Sequence, residues 1–222
     1  MSSRDAFLAR VRLAAEQGRP YRVHTREVPE NIGYIGASGD LVKRFAMEVN
    51  AVGGEAVVVS DLEAAARELH RLLAEVGARS AVCWKHDLLE RLGLRQLLVG
   101  PGVSLHDYES LAKLPSDEQR RTLLACDVGI TSCDCAIAET GTLMVLARPG
   151  QERVASLLPP MHVAIVERRQ IVPDLVDAIE LLKPTLPSNV TFITGPSKTG
   201  DIELQLTTGV HGPGKWRVIV IA

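Results

Sequence analysis

Short apolar runs alternate along this chain with stretches of helical periodicity, and that alternation limits the fold more than any other feature. EAVVVS, SAVCW, VGITS, HVAIVE, VTFIT and WRVIVIA have strand length, are rich in Val and Ile, and lack the polar alternation of a half-solvated sheet. Between them, DLEAAARELHRLLAEVG (61–77) places Leu62, Ala65, Leu69, Leu72 and Val76 at steps of three and four, with Asp61 as its cap and Gly77 as its stop. His70 falls on the charged side of that helix and reads as solvated surface. SGDLVKRFAMEVNAVGG reads as a helix closed by Gly53 and Gly54, and HDLLERLG, SDEQRRTLLACD, ERVASLLP, VPDLVDAIELL (with Pro in its first turn) and DIELQLTTG read as further helices. Buried strands joined through helices predict an α/β fold, a mostly parallel sheet with helices on both faces. One stretch departs from the pattern: CDCAIAETGTLMVLA predicts two strands meeting at a tight polar bend.

At 222 residues with 46% apolar residues the chain can bury a sizeable core. Residues 1–34 read as an N-terminal helix and a turn-rich connector, with EVPENIGYIGASGD (27–40) making the join, and residues 35–222 as the α/β domain. A net charge of −2 gives no electrostatic reason to expect nucleic acid or an anionic membrane, and 4% aromatics leave little for stacking bases. Charges interrupt every apolar run well short of the ~20 residues a membrane span needs, so a cytoplasmic location is the expectation. The four cysteines are too few for a disulfide scaffold; Cys133 and Cys135 share one side of an extended chain, a pair read as buried and reduced, with metal ligation the competing reading and no metal predicted.

Polar residues gather in three places. TGPSKTGD (194–201) lies between a predicted strand and a predicted helix. Gly195 and Gly200 permit close backbone approach, Ser197 and Thr199 offer hydroxyls, Lys198 a charge, and the amides opening the helix would face a carboxylate or phosphate. The competing reading is a capped turn with Asp201 as N-cap. It is neither a P-loop nor a dinucleotide fingerprint, and no nicotinamide or flavin motif occurs elsewhere. In AETGT, Glu139 beside the Thr140-Gly141-Thr142 bend reads either as a solvated turn residue or as a partly desolvated base or nucleophile. His162 opens a strand and His211 sits in GVHGPG with Gly212; both read as structural hydrogen-bonders or, if they share a cleft, as general acid and base.

AIAETGTLMV, LPPMHVAIV and TGPSKTGDIELQLTTGVHGP, in this order and spacing, resemble the LUD domain of the lactate-utilization proteins, the DUF162 family, in its stand-alone C-type form; the match runs over roughly 35–222. The resemblance implies a fold similar to the ribose-5-phosphate isomerase, glucosamine-6-phosphate deaminase and CoA-transferase group. It also implies a part in oxidising L-lactate to pyruvate with partner subunits that carry iron-sulfur clusters. This chain has no C-x-x-C-x-x-C run, so electrons would reside in those partners, and it is read as a non-redox subunit, with a homodimer among the expected assemblies. Glu139, His162 and His211 are the candidate catalytic residues; Thr140, Gly141, Thr142, Gly195, Ser197, Lys198, Thr199, Asp201 and Gly212 are the candidates for holding a small carboxylate or phosphate. Members of the family usually read GPSRTADIE where this chain has Lys198 and Gly200, and Lys is a point charge, not a two-pronged fork. Two alternatives stand beside this reading: an acyl- or CoA-transferase-like enzyme with Glu139 as nucleophile, and a sugar-phosphate isomerase-like enzyme.

Overall fold

The computed structural model describes residues 3–17, 36–100, 102–182, 187–200, 206–208 and 211–222. The chain divides into two compact units, Met1–Ile35 and Gly36–Ala222. The first contributes the exposed helix α1 (Ser3–Gln17). The second runs α2 (Leu41–Ala51), β1 (Glu55–Val59), α3 (Leu62–Glu75), β2 (Ser80–Cys83), α4 (Asp87–Arg91), α5 (Leu94–Val99), β3 (Ser104–His106), α6 (Tyr108–Leu111), α7 (Ser116–Leu124) and β4 (Val128–Thr131). It continues with β5 (Cys135–Ile137), β6 (Thr142–Leu146), α8 (Val154–Leu157), β7 (Met161–Glu167), β8 (Ile171–Val172), α9 (Leu175–Glu180), β9 (Val190–Ile193), β10 (Lys198–Gly200), β11 (Leu206–Thr208) and β12 (Lys215–Ile221). No helix among the described residues is long and apolar enough to cross a membrane.

The main sheet has the order β1-β12-β7-β4-β2-β3 with every pair parallel, the α/β arrangement that the apolar runs predict. The closing strand β12 is not at an edge; it lies between β1 and β7, and Val218, Ile219 and Val220 are buried there. Helices α2, α3 and α9 begin where a carboxylate accepts orphan amides: Asp40 from Val42 (3.1 Å) and Lys43 (3.3 Å), Asp61 from Ala64 (2.8 Å), Asp174 from Asp177 (3.0 Å). Pro173 therefore sits before the cap of α9, not within its first turn. Phe45 of α2 and Leu69 and Leu73 of α3 are buried in the core beneath these helices.

Three expectations fail here. EAVVVS, read as a buried strand, forms the edge strand β1, and Val57 and Val58 are exposed there. VTFIT does not join the parallel sheet: β9 pairs antiparallel with β6 in a second sheet ordered β8-β5-β6-β9. The stretch read as the helix DIELQLTTG contains strand β11, paired antiparallel with β10, while 201–205 and 209 lie outside the described residues. Ile202, Leu204 and Leu206 recur at every second position, a strand period, and the β-branched Thr199 faces Thr207 across the pair. The polar bend is as read: β5 and β6 pair antiparallel around it, with Ile137 opposite Thr142.

The parallel register sets Gly129 of β4, His162 of β7 and Trp216 of β12 in one row across the main sheet. Gly129 has a reason to lack a side chain, since a Cβ there would strike the Ala155 carbonyl oxygen of α8. The helix thus lies close on the sheet beside His162.

Candidate functional site

A cavity of about 230 Å³ opens at the amino ends of β7 and β12, walled by β9 and by the loops around Ser197 and Gly212. The location differs from the sequence argument, which looked beyond the carboxyl ends of the strands. His162 and His211 both line it, so the two histidines do share a cleft. Gly195, Ser197 and Gly212 line it as well. The Ser197 amide donates to the Pro213 carbonyl (2.8 Å), fastening one loop to the other, and a side chain at Gly212 would press on the Ser197 Cβ at 3.3 Å.

His162 is 1% exposed, with Nε2 2.8 Å from the Thr131 hydroxyl and Nδ1 without a partner among the described residues. Burial pushes its pKa down to about 3, because the charged imidazolium would lose its hydration with no carboxylate to replace it. At neutral pH the ring is therefore an uncharged hydrogen-bonding group, which removes it as a proton carrier near pH 7; His211, exposed on the rim, is the histidine of the pair that water reaches. Trp216, 2% exposed, also lines the cavity, and its indole Nε1 likewise has no partner among the described residues. Its ring fits because residue 54 is glycine: a Cβ there would strike the indole and would lie 2.9 Å from the Val49 side chain. The sequence argument missed Trp216. Its signal was present, since an indole buried at a strand start carries a donor that needs an acceptor.

The glycine-rich loop closes on a different target from the one its composition suggested. Gly195 has φ +90°, and a Cβ on it would lie 2.8 Å from the Val52 carbonyl oxygen. Lys198 donates to that same oxygen at 2.7 Å. Val52 caps the carboxyl end of α2, the negative pole of the helix, so the lysine charge is placed where a helix end attracts a cation. The anion seat at the start of a following helix is not formed, because Lys198, Thr199 and Gly200 make strand β10. Asp201, the proposed cap, lies outside the described residues.

The AETGT bend stands behind the cavity. The Glu139 amide donates to the Pro173 carbonyl (3.1 Å), and the residue is half-buried and outside the cavity lining. Gly141 has φ +63°, with its Cα so close to α2 that a Cβ would sit 2.5 Å from the Val49 nitrogen. The hydroxyls of Thr140 and Thr142 are 2.7 Å apart, and Thr142 is 2.8 Å from Thr194, which does line the cavity. Three hydroxyls thus connect the bend to the cavity wall.

Cys133 is buried in the main core and Cys135 in the cluster beneath the second sheet, with Met144 and Leu146. Burial raises the Cys135 thiol to about 12 and holds the Cys133 thiol well above its ordinary value. No group of three or more His, Cys, Asp or Glu side chains is arranged for a metal among the described residues. A second cavity of about 360 Å³ lies at the carboxyl ends of β2 and β3, with Trp84, Leu94 and Leu105 in its wall. Lys85 pairs with Glu109 (2.8 Å) and Arg95 with Asp107 at its rim. The sequence argument did not find it, since its residues come from separate strands and helices and form no local motif.

Comparison with known proteins follows the same lines. The chain is 37% identical over 150 residues to lactate utilization protein C of Shouchella clausii, an alignment covering 65% of this chain and 63% of that protein. With lactate utilization protein C of a Geobacillus species it shares 30% identity over 236 residues, covering 99% of this chain and 95% of the relative. The crystal structure of a DUF162 family protein from Deinococcus radiodurans superposes with a TM-score of 0.58 at 23% identity, over 82% of this chain and 96% of that one, a likeness of fold. The sequence model of the LUD domain matches residues 42–221, which include both sheets and the cavity between them, and the chain belongs to the LUD domain family.

Proposed function

We propose that this chain serves lactate utilization as a cytoplasmic, non-redox component that holds a small carboxylate, while iron-sulfur partner subunits take the electrons as L-lactate becomes pyruvate. The names of its relatives support the setting. The observation that carries the site is the cavity with two ring nitrogens, on His162 and Trp216 at adjacent strand positions, that have no partner among the described residues. Buried polar groups are rarely left unpaired unless a ligand or water completes them. A volume of about 230 Å³ corresponds to roughly eight waters at ~30 Å³ each, which admits a three-carbon acid with space to spare. Ser197, Thr194 and the rim His211 supply further polar contacts. The division of labour rests on the sequence, which offers carboxylate-binding side chains but no cysteine run for a cluster.

The test is thermal unfolding of the purified protein with L-lactate, pyruvate, CoA and a sugar phosphate in separate samples. A ligand at 100 times its dissociation constant adds ~2.7 kcal/mol, which raises Tm by roughly 5–10 °C for a chain of this length. Stabilisation by lactate or pyruvate is the expected result. Stabilisation by CoA alone would replace this reading with the transferase one.

A further inference from the structure

We infer that Thr131 fixes the tautomer of His162, so that His162 Nδ1–H and Trp216 Nε1–H form an uncharged two-donor cradle for a carboxylate or carbonyl oxygen in the cavity. The inference rests on the small-acid reading above and adds to it which atoms receive the acid and what orients them.

Thr131 presents a buried hydroxyl at the end of β4 whose hydrogen bond among the described residues is the one to His162 Nε2. A neutral imidazole carries one proton, on Nε2 or on Nδ1. If Nε2 carried it, Nε2–H would donate to Thr131, the threonine proton would lack an acceptor, and Nδ1 would be a bare lone pair. Two buried groups would then go unsatisfied. If Thr131 donates to Nε2, the proton sits on Nδ1 and a single donor remains open. Each buried unsatisfied group costs roughly 1–3 kcal/mol, so the second arrangement wins. The neutral state itself follows from burial of the ring.

Trp216 has no such choice, because an indole nitrogen is always a donor. His162 and Trp216 are register partners on β7 and β12, and neighbouring strands stand ~4.8 Å apart. Both residues line the one cavity, so a donor from each of two neighbouring strands is available to the two oxygens of a carboxylate or to a single oxygen. Lys198, which the sequence offered as the charge, is on the Val52 carbonyl. Recognition here is by fixed dipoles on buried rings, a means that costs little reorganisation on binding.

The experiment reads the ring directly. Long-range ¹H–¹⁵N spectra of histidine-labelled, ligand-free protein should show His162 with Nδ1 protonated and Nε2 bare; an Nε2-protonated ring would overturn the cradle whatever the ligand does. Thr131→Val should remove that bias and weaken pyruvate binding about tenfold, the effect of roughly one net hydrogen bond. On adding pyruvate to unmodified protein, the Trp216 indole N–H signal should move while that of Trp84, which donates to the Glu152 carbonyl (2.9 Å), should stay. Trp216→Phe assigns the two signals. Pyruvate binding that leaves the Trp216 signal in place would refute the cradle and spare the small-acid reading; no binding of pyruvate or L-lactate would refute both.

Discussion

Gly141→Ala should be among the most damaging single-atom additions to this protein, for reasons the bend makes explicit. At φ +63° any residue with a Cβ pays roughly 1–2 kcal/mol for the left-handed conformation. The added carbon would then stand 2.5 Å from the Val49 nitrogen and 2.6 Å from the Glu48 carbonyl carbon, both backbone atoms of α2 that cannot swing aside. Forcing such a contact costs about 1–3 kcal/mol more. The sum, about 2–5 kcal/mol, corresponds to a fall in Tm of roughly 5–15 °C. Gly77→Ala is the matched control, with φ +61° and nothing within 4 Å of the new carbon, so it should lose only the conformational part, about 1–2 kcal/mol. Urea and thermal unfolding of the two variants side by side measure the difference. If Gly141→Ala were no worse than Gly77→Ala, the close seating of the bend on α2 would be wrong, and with it the support of the Thr140–Thr142–Thr194 hydroxyls.

Lys198→Met should cost about 0.3–1 kcal/mol, the loss of a cation at a helix carboxyl end, and leave pyruvate affinity by calorimetry unchanged; a tenfold weaker affinity would return the lysine to the ligand. His162 is held at about 3 when folded against an ordinary 6.5, so between those values the unfolded chain binds the extra proton. Its contribution to stability is complete above pH 6.5 and declines as the pH falls toward 3. Urea unfolding at pH 7 and pH 5 should therefore show the native protein losing about 2 kcal/mol more than His162→Gln across that interval. All four cysteines are buried as thiols, so a water-soluble disulfide reagent should label none in the native protein and four after denaturation; fast labelling of a native thiol would contradict the packing at that residue.

The sequence made the strands and most helices legible because burial on both faces and amphipathic burial leave different periods. Asp40 and Asp61 marked helix starts, since a short carboxylate ahead of an apolar period has a local job. What could not be read was long-range. The composition of VTFIT suits a buried strand, but nothing in five residues says which sheet receives it. DIELQLTTG carries good helix formers, yet its apolar residues fall at every second position, and that period prevailed in the part that pairs with β10. Lys198 looked like a ligand's partner because a charge in a glycine-rich loop invites one; its partner is a carbonyl 146 positions away. The two histidines were identified by type, and their common cleft emerged only from the parallel register that sets His162 beside Trp216. Whether a side chain meets a ligand or a distant backbone atom is decided by chain crossings that no local pattern encodes.

The cavity takes one wall from β9 of the smaller sheet and its other walls from β7 and β12 of the larger. It is a seam, and its width is set by how the two sheets are held against one another. An acid held there, as proposed above, would act as a wedge of fixed size, favouring the one separation at which both walls touch it. By thermodynamic reciprocity, anything that grips the smaller sheet from outside and alters that separation changes the acid's affinity by the same free energy with which the acid changes the grip.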